Sequence, residues 1–588
     1  MEHDAFMADI SRHIWDSKYR SHDARGRLEA DISDTWHRVA RALASVESSN
    51  RAQWAQRFYA ALEDFKFLPG GRILAGAGTA HRVTLFNCFV MGRIQDSMDG
   101  IFDALKEGAL TLQQGGGVGY DFSTLRPAGM VAQGVGVVAS GPLSFMLIWD
   151  AMCATILSTG ARRGAMMATL RCDHPDILDF VQAKSDPAKL RHFNLSVLVT
   201  DAFMRAVQDD RDWPLIFPSA EVDGSKVFRV IRARDLWRDI MLATYDHADP
   251  GVLFIDRINA LNNLAYAETL SATNPCGEIP LPPYGACDLG SINLTQFVRR
   301  PFTEQAALDF VAIEETATVA TRMLDNVWDL SRFPLRKQAR VALATRRIGL
   351  GITGLGDALA MLGLPYDTQA ARATAATVMQ HICETAYRTS IELARAKGSF
   401  PILDSRKHVA GAFIRQLPED IRNGITRHGI RNSHLTAIAP AGTISLLANN
   451  VSSGLEPIFQ YEYQRRIHGS DGRMREYAVT DFAYARYRAI HGPNASLPLG
   501  FMTATAISPF HHLDMQAALQ PWVDNAISKT INVPEDYPFA DFKLLYEYAF
   551  EKALKGCTTF RPNPLTGQVL VQTTPTAPQC CSVEREAD

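Results

Sequence analysis

The chain lacks any apolar run of the length needed to cross a bilayer, so a membrane partner is not expected. The most apolar stretch, Pro142 to Leu157, is broken by Asp150 and reads as a buried helix. Cysteine is scarce, nine in 588 residues and scattered, which excludes a secreted disulfide scaffold. No Cys-x-x-Cys pair occurs, so a tetrahedral zinc site has no support and no metal ligands are assigned. Strong net charge is missing too. At −3, no global field draws the chain to DNA or to an anionic membrane, and anionic ligands must be held by local groups. Residues 1–20 carry Asp4, Asp9, Arg12, Asp16, Lys18 and Arg20, which does not fit a secretory leader. Cytoplasmic residence is the expectation.

What is present is an ordinary globular composition, 47% hydrophobic and 21% charged, with ample material for a large core. Residues 8–66 read as helical, with Ile10, Ile14 and Trp15 and then Trp36, Val39, Ala40, Leu43 and Val46 at helical spacing. Leu68-Pro69-Gly70-Gly71 breaks the pattern. From there to about Phe560, short β-branched runs such as 195–200, 252–255 and 435–439 alternate with longer amphipathic stretches, which argues for an α/β architecture. We therefore expect a helical region over 1–70, an α/β body over 71–560, and a mobile tail over 561–588 that is rich in Pro, Thr and Gln and carries Cys580-Cys581.

Three segments that contain glycine invite a phosphate. Gln114-Gly115-Gly116-Gly117-Val118-Gly119 fits no P-loop; it predicts a turn at positive φ whose bare backbone suits close approach of a ligand. Gly349-Leu350-Gly351-Ile352-Thr353-Gly354 matches a dinucleotide fingerprint. Arg346 and Arg347 stand where an apolar strand should precede it, and no acidic residue follows about 20 positions on. It reads as a glycine-rich helix-packing segment, and a nicotinamide dehydrogenase is disfavoured. Ala439-Pro440-Ala441-Gly442-Thr443 follows a strand-like run; the amides of Ala441, Gly442 and Thr443 could open a helix and face a phosphate.

Cys153, Cys172, Cys383 and Cys557 read as small buried hydrophobes. Cys276 differs. In Asn274-Pro275-Cys276-Gly277-Glu278 the proline and glycine exclude a regular helix or central strand, so a rigid loop presents the thiol beside a carboxamide and a carboxylate. Cys287 follows, and Cys88 lies far upstream in Phe86-Asn87-Cys88-Phe89. Taken alone, a cysteine near a glutamate also suits an acyl-transfer nucleophile.

Together these segments resemble the large subunit of ribonucleotide reductases, most nearly the class II branch that depends on adenosylcobalamin. The resemblance rests on Cys88-Phe89-Val90, Asp96-Ser97-Met98, Gly115 to Arg126, Gly160 to Ala165, His174 to Leu178, Asn274 to Glu278, Gly290 to Leu294 and Pro440 to Thr443. It covers most of the chain. It implies a ten-stranded α/β barrel of two five-stranded halves around an inner finger loop, after a helical N-terminal region.

The resemblance also implies roles. Cys276 carries the thiyl radical, Glu278 is the general base and Asn274 its hydrogen-bonding neighbour. Cys88 and Cys287 are the reducing pair and end as the Cys88–Cys287 disulfide. Asn87, Gly116 and Gly117 line the substrate, a ribonucleoside di- or triphosphate. Asp96, Ser97, Arg126, Arg162 and Arg163 belong to the site and relay loop of a deoxynucleoside triphosphate or ATP specificity effector in a homodimer, and no full ATP cone is recognisable at the N-terminus. A class I subunit would carry paired tyrosines near Gly556–Arg561, and none occurs there, which points to adenosylcobalamin. Relatives separate their tail cysteines, whereas Cys580 and Cys581 are adjacent. A vicinal disulfide is strained, so recharging by a thioredoxin-type reductant is expected to use a mixed disulfide or another thiol. The rivals are a class I subunit needing a metal-containing partner and an inactive nucleotide-binding regulator; the intact thiol set speaks against the second.

Overall fold

The computed structural model describes residues 5–23, 25–81, 83–130, 138–158, 162–218, 225–468, 474–562 and 570–571. The N-terminal region forms helices over Asp9–Ile14, Ile32–Ala44 and Arg51–Leu62, separated by loops. Asp31 caps the second by accepting from the amides of Ser33 and Asp34. Its apolar stripe, Trp36, Val39, Ala40 and Leu43, is buried. This region docks on the long helix Phe310–Leu330, where Arg322 clamps the buried Glu47 carboxylate with two bonds of 2.7 and 2.6 Å.

The α/β body contains strands β1 (Phe67–Pro69), β2 (Cys88–Val90), β3 (Gly117–Asp121), β4 (Met166–Arg171), β5 (Phe193–Val199), β6 (Gly251–Phe254), β7 (Ala286–Asn293), β8 (Ile348–Thr353), β9 (Thr530–Asn532) and β10 (Gly556–Phe560). Strands β2 to β6 pair in parallel in chain order and make one half. The other half runs parallel as well. Strand β7 pairs β8, β8 bridges Thr436, Ile438 bridges Ile527, and β9 pairs β10. The segment 435–439, read as a strand from its composition, is thus the middle staple of this half. The halves meet antiparallel at two seams, β2 with β7 and β6 with β10. The result is the closed ring of two five-stranded halves, with β1 added alongside β7. Both faces of such strands are covered, and β4, β5, β7 and β8 accordingly read as near-continuous apolar or small-residue runs.

Two expectations need correction. Gly349–Gly354 is not a helix-packing segment: Ile348–Thr353 is the fully buried strand β8. Gly349 and Gly351 lie within the strand, not in the turn where a dinucleotide fingerprint needs its first glycines, and only Gly354, at φ +73°, opens the helix Leu355–Met361. The stretch Pro142–Leu157 does form a helix, Gly141–Thr155, but only one side is buried; Leu147 and Ile148 are exposed. In the tail, Leu570–Val571 pairs with the hairpin strand Glu462–His468. Cys580 and Cys581 lie outside the described residues. Cys153, Cys172, Cys383 and Cys557 are buried as expected.

Inside the ring stands a finger: Ala272–Thr273 and Pro280–Leu281 pair antiparallel, and residues 274–279 form its tip. Thr169 on β4 donates to the Ser271 carbonyl at the base (2.9 Å), Asn194 on β5 donates to the Pro275 carbonyl at the tip (2.8 Å), and the Ala526 amide donates to the Glu278 carbonyl (2.9 Å). Both halves therefore hold it. Strand β3 lies so near that a Cβ on Gly119 would sit 1.8 Å from the Thr273 carbonyl oxygen. Gly119→Ala is expected to lower unfolding free energy by roughly 1–3 kcal/mol, the usual overpacking cost, and to reduce turnover by displacing the finger. Urea titration together with an activity assay checks both; a wild-type midpoint would contradict the close approach.

Candidate functional site

The finger tip and the β2/β7 seam build one site. Gly277 takes φ +85°, a conformation open to glycine, which turns the chain sharply after Cys276. Asn274 organises this turn: its Oδ1 accepts from the Ile279 amide (3.0 Å), and its Nδ2 donates to Glu278 Oε1 (2.8 Å) and to Cys88 Sγ (3.3 Å). Cys88 Sγ in turn lies 3.9 Å from Glu278 Oε1.

Cys88 and Cys287 are direct cross-strand partners, both reduced and fully buried. Opposed residues of antiparallel strands have Cα atoms roughly 4.5–5.5 Å apart, inside the range a disulfide spans. Val90, Ala272, Ile279, Leu281, Leu289 and Ala437 pack around them. In this apolar pocket, burial pushes both thiols well above the usual cysteine range, and Glu278 adds to the effect on Cys88. Both therefore stay protonated and are proton donors.

Glu278 has no exposed surface, and burial pushes its carboxyl up to about 7, against the lowering effect of the Asn274 bond. Its Oε2 is buried without a hydrogen-bond partner. An orphaned carboxylate oxygen in such a place is a ready acceptor for a ligand hydroxyl. Cys276, at the tip, is the one member of the set that retains partial exposure.

The other candidates fall around this centre. Asn87 precedes Cys88, is buried, and leaves its Oδ1 without a partner. Gly117 is the register partner of Cys88 on the parallel strand β3, with Gly116 just before it. Gly115 supplies the positive-φ turn, at +95°. The helix Gly442–Leu447 begins two residues after Pro440. Of the three amides expected to face a phosphate, that of Ala441 is not available, since it donates to Ser453 Oγ (2.8 Å). Gly442 and Pro440 line a cavity of about 130 Å³ with Ser445, Ser453, Glu456, Arg465 and Asp481 among its other walls. The last four were missed from the sequence. The run Ser452-Ser453-Gly454 reads as a loop, but nothing local shows that it folds back on Pro440.

Asp96, Ser97 and Arg126 form a separate cluster. Arg126 Nε binds Asp96 Oδ2 at 2.7 Å, and Ser97 caps the helix Met98–Gln113 by accepting from the Gly100 amide. The backbone of Arg162–Arg163 pairs antiparallel with Leu157–Ser158.

Residues 86–560 match the family described as ribonucleotide reductase, barrel domain, and residues 5–82 match ribonucleotide reductase, all-alpha domain. Over 580 residues the chain is 38% identical to the vitamin B12-dependent ribonucleoside-diphosphate reductase of Mycobacterium tuberculosis (strain CDC 1551 / Oshkosh), covering 95% of this chain and 80% of that one. It is 35% identical over 542 residues to the vitamin B12-dependent ribonucleoside-diphosphate reductase of Thermoplasma acidophilum, with 89% and 67% covered. A vitamin B12-dependent ribonucleotide reductase of Streptomyces coelicolor is 29% identical over 571 residues, with 85% and 58% covered.

Proposed function

The chain belongs to the ribonucleotide reductase family, and we propose that it reduces ribonucleoside diphosphates to 2′-deoxyribonucleotides with adenosylcobalamin as its radical cofactor. The observation that carries this reading is the partnerless Oε2 of Glu278, whose other oxygen lies 3.9 Å from the buried Cys88 thiol and which follows the partly exposed Cys276 by two residues.

The donor set fits an initiator that acts from outside the polypeptide. Cys276 keeps some exposure while Asn274, Glu278, Cys88 and Cys287 behind it are buried. Gly556–Arg561 offers no tyrosine pair for internal delivery of a radical, which disfavours a subunit activated by a separate metal protein. When bound, adenosylcobalamin supplies the one-electron oxidation of the Cys276 thiol, and Cys276 is the residue that would face it.

The Cys276 thiyl takes the hydrogen from the ribose 3′ carbon. Glu278 accepts the 3′-hydroxyl proton at Oε2, and a carboxyl titrating near 7 is matched to that task. Either Cys88 or Cys287 protonates the departing 2′-hydroxyl, which leaves as water. The two thiols then supply the remaining hydrogen and electrons and close as a disulfide, and Cys276 returns its hydrogen to the 3′ carbon. In sum, ribonucleotide and dithiol give deoxyribonucleotide, water and disulfide.

Because the pair is fully buried, a thioredoxin-type protein cannot touch it directly, and Cys580 and Cys581 are assigned to carry reducing equivalents inward. This chemistry needs a compartment that keeps thiols reduced, the cytoplasm. Asp96, Ser97 and Arg126, with Arg162 and Arg163, are assigned to a deoxynucleoside triphosphate or ATP effector. Exposed Met98, Phe102 and Leu110 on one neighbouring helix and Leu147 and Ile148 on another support a homodimer through that face.

The test is purified chain with CDP and dithiothreitol, under metal chelation, with and without adenosylcobalamin. dCDP forms only when the cofactor is present. Formation without it, or only after a metal-containing partner is added, would sink the cofactor assignment.

A further inference from the structure

We infer that Arg465 binds the terminal phosphate of the substrate nucleotide in the cavity beside Pro440 and Gly442, an assignment that rests on the reductase reading above. Arg465 stands on the hairpin strand Glu462–His468, which pairs with Met474–Thr480 outside the barrel ring. Burial alternates along this strand, so Tyr463 and Arg465 point inward while Gln464 between them is less covered. Tyr463 is fixed by donating to Asn450 Oδ1 (3.0 Å), and both residues line the cavity. Arg465 is 7% exposed, and its Nε has no hydrogen-bond partner among the described residues. A buried guanidinium with an unused donor is costly unless a ligand completes it. Its planar array of donors suits phosphate oxygens.

The charges of the other walls reinforce this. Two acids line the cavity, Glu456 and Asp481, and neither opposes an anion. Glu456 is neutralised by the fully buried Lys529 ammonium, and its other oxygen accepts from the Thr530 amide (2.9 Å). Asp481 lies against Asp357, so two buried carboxyls share one locale. Asp357 accepts from the amides of Ser452 and Ala483, and Asp481 accepts from that of Tyr484. Burial and the neighbouring Asp357 push Asp481 well above the usual carboxyl range, which favours its neutral form. With Glu456 paired to Lys529 and Asp481 pushed toward its neutral form, Arg465 is the one cationic side chain among the lining residues. The small-residue side, Gly442, Ser445 and Ser453, leaves room for a phosphate against it.

The experiment is equilibrium dialysis of CDP and of cytidine against wild type, Arg465→Gln and Arg465→Lys, without cobalamin, followed by KM and kcat for CDP with it. Arg465→Gln should weaken CDP about 10- to 100-fold and cytidine by less than about twofold, with Lys between, because a charge-assisted bond is lost only where phosphate is present. KM should rise by the same factor while kcat stays within about threefold. CDP affinity unchanged in a folded Arg465→Gln protein would overturn the inference, as would weaker adenosylcobalamin binding with CDP unaffected. Should the glutamine variant not fold, Arg465→Lys decides: unchanged affinity for CDP rejects the inference, and weaker CDP binding with cytidine binding kept supports it. A wild-type chain that binds CDP through Arg465 yet makes no dCDP would refute the reductase reading and leave this contact standing.

Discussion

Cys276→Ala is expected to abolish dCDP formation, by on the order of 10⁴-fold or more, with CDP binding and thermal stability near wild type. The thiol sits at a turn tip with partial exposure and contributes little to the core. Its removal leaves the contacts of Asn274, Glu278 and Cys88 in place. Cys276→Ser sharpens the test. An oxygen–hydrogen bond is much stronger than a sulfur–hydrogen bond, so a serine cannot take the radical and should be as inactive as alanine. An acyl-transfer nucleophile, by contrast, would keep measurable activity as serine. Assay of dCDP by chromatography alongside CDP dialysis checks the prediction. A serine variant with a few per cent of wild-type turnover would remove the radical role.

The second large effect belongs to Glu278→Gln, which should cost about 10²- to 10⁴-fold in kcat, the range of a positioned general base. It should at the same time stabilise the fold. The carboxyl rises from 4.5 to about 7 on folding, so between those values the folded chain binds more protons than the unfolded one. Stability therefore falls as pH rises through that window, by up to about 3 kcal/mol at 1.36 kcal/mol per unit, and the loss persists above it. Glutamine cannot ionise and keeps an oxygen for the Asn274 amide. Its advantage over wild type should be near zero at pH 4 and largest at pH 8. Urea titrations at both pH values measure it; equal stability at pH 8 would mean that Glu278 is not desolvated as described. In wild type, turnover should climb as pH rises through about 7, and the variant should lose that limb.

Local chemistry made part of this site legible. Proline before Cys276 and glycine after it announced a presented loop, and the turn at Gly277 is its form. The strand at 435–439 was readable from its apolar run. The glycines of β8 misled because their cause is distant: a Cβ on Gly351 would sit 2.1 Å from the Ala437 carbonyl oxygen, in a segment some 86 positions away. No window around Gly351 contains that neighbour. The same holds for Arg465, whose meaning depends on Ser453, Glu456 and Asp481 arriving from other elements. The pairing of Cys88 with Cys287 likewise needed likeness to a family, since only the closed ring sets these strands face to face.

That seam has a mechanical side. Cys88 and Cys287 are opposite stitches where the two half-barrels meet. In the proposed reaction their bonding laces the oxidised enzyme across the joint between its halves, and recharging opens the lace. The direct register means that this needs no sliding of either half. On the proposed mechanism catalysis and architecture share one fastening, and the protein is most tightly sewn at the moment it is chemically spent.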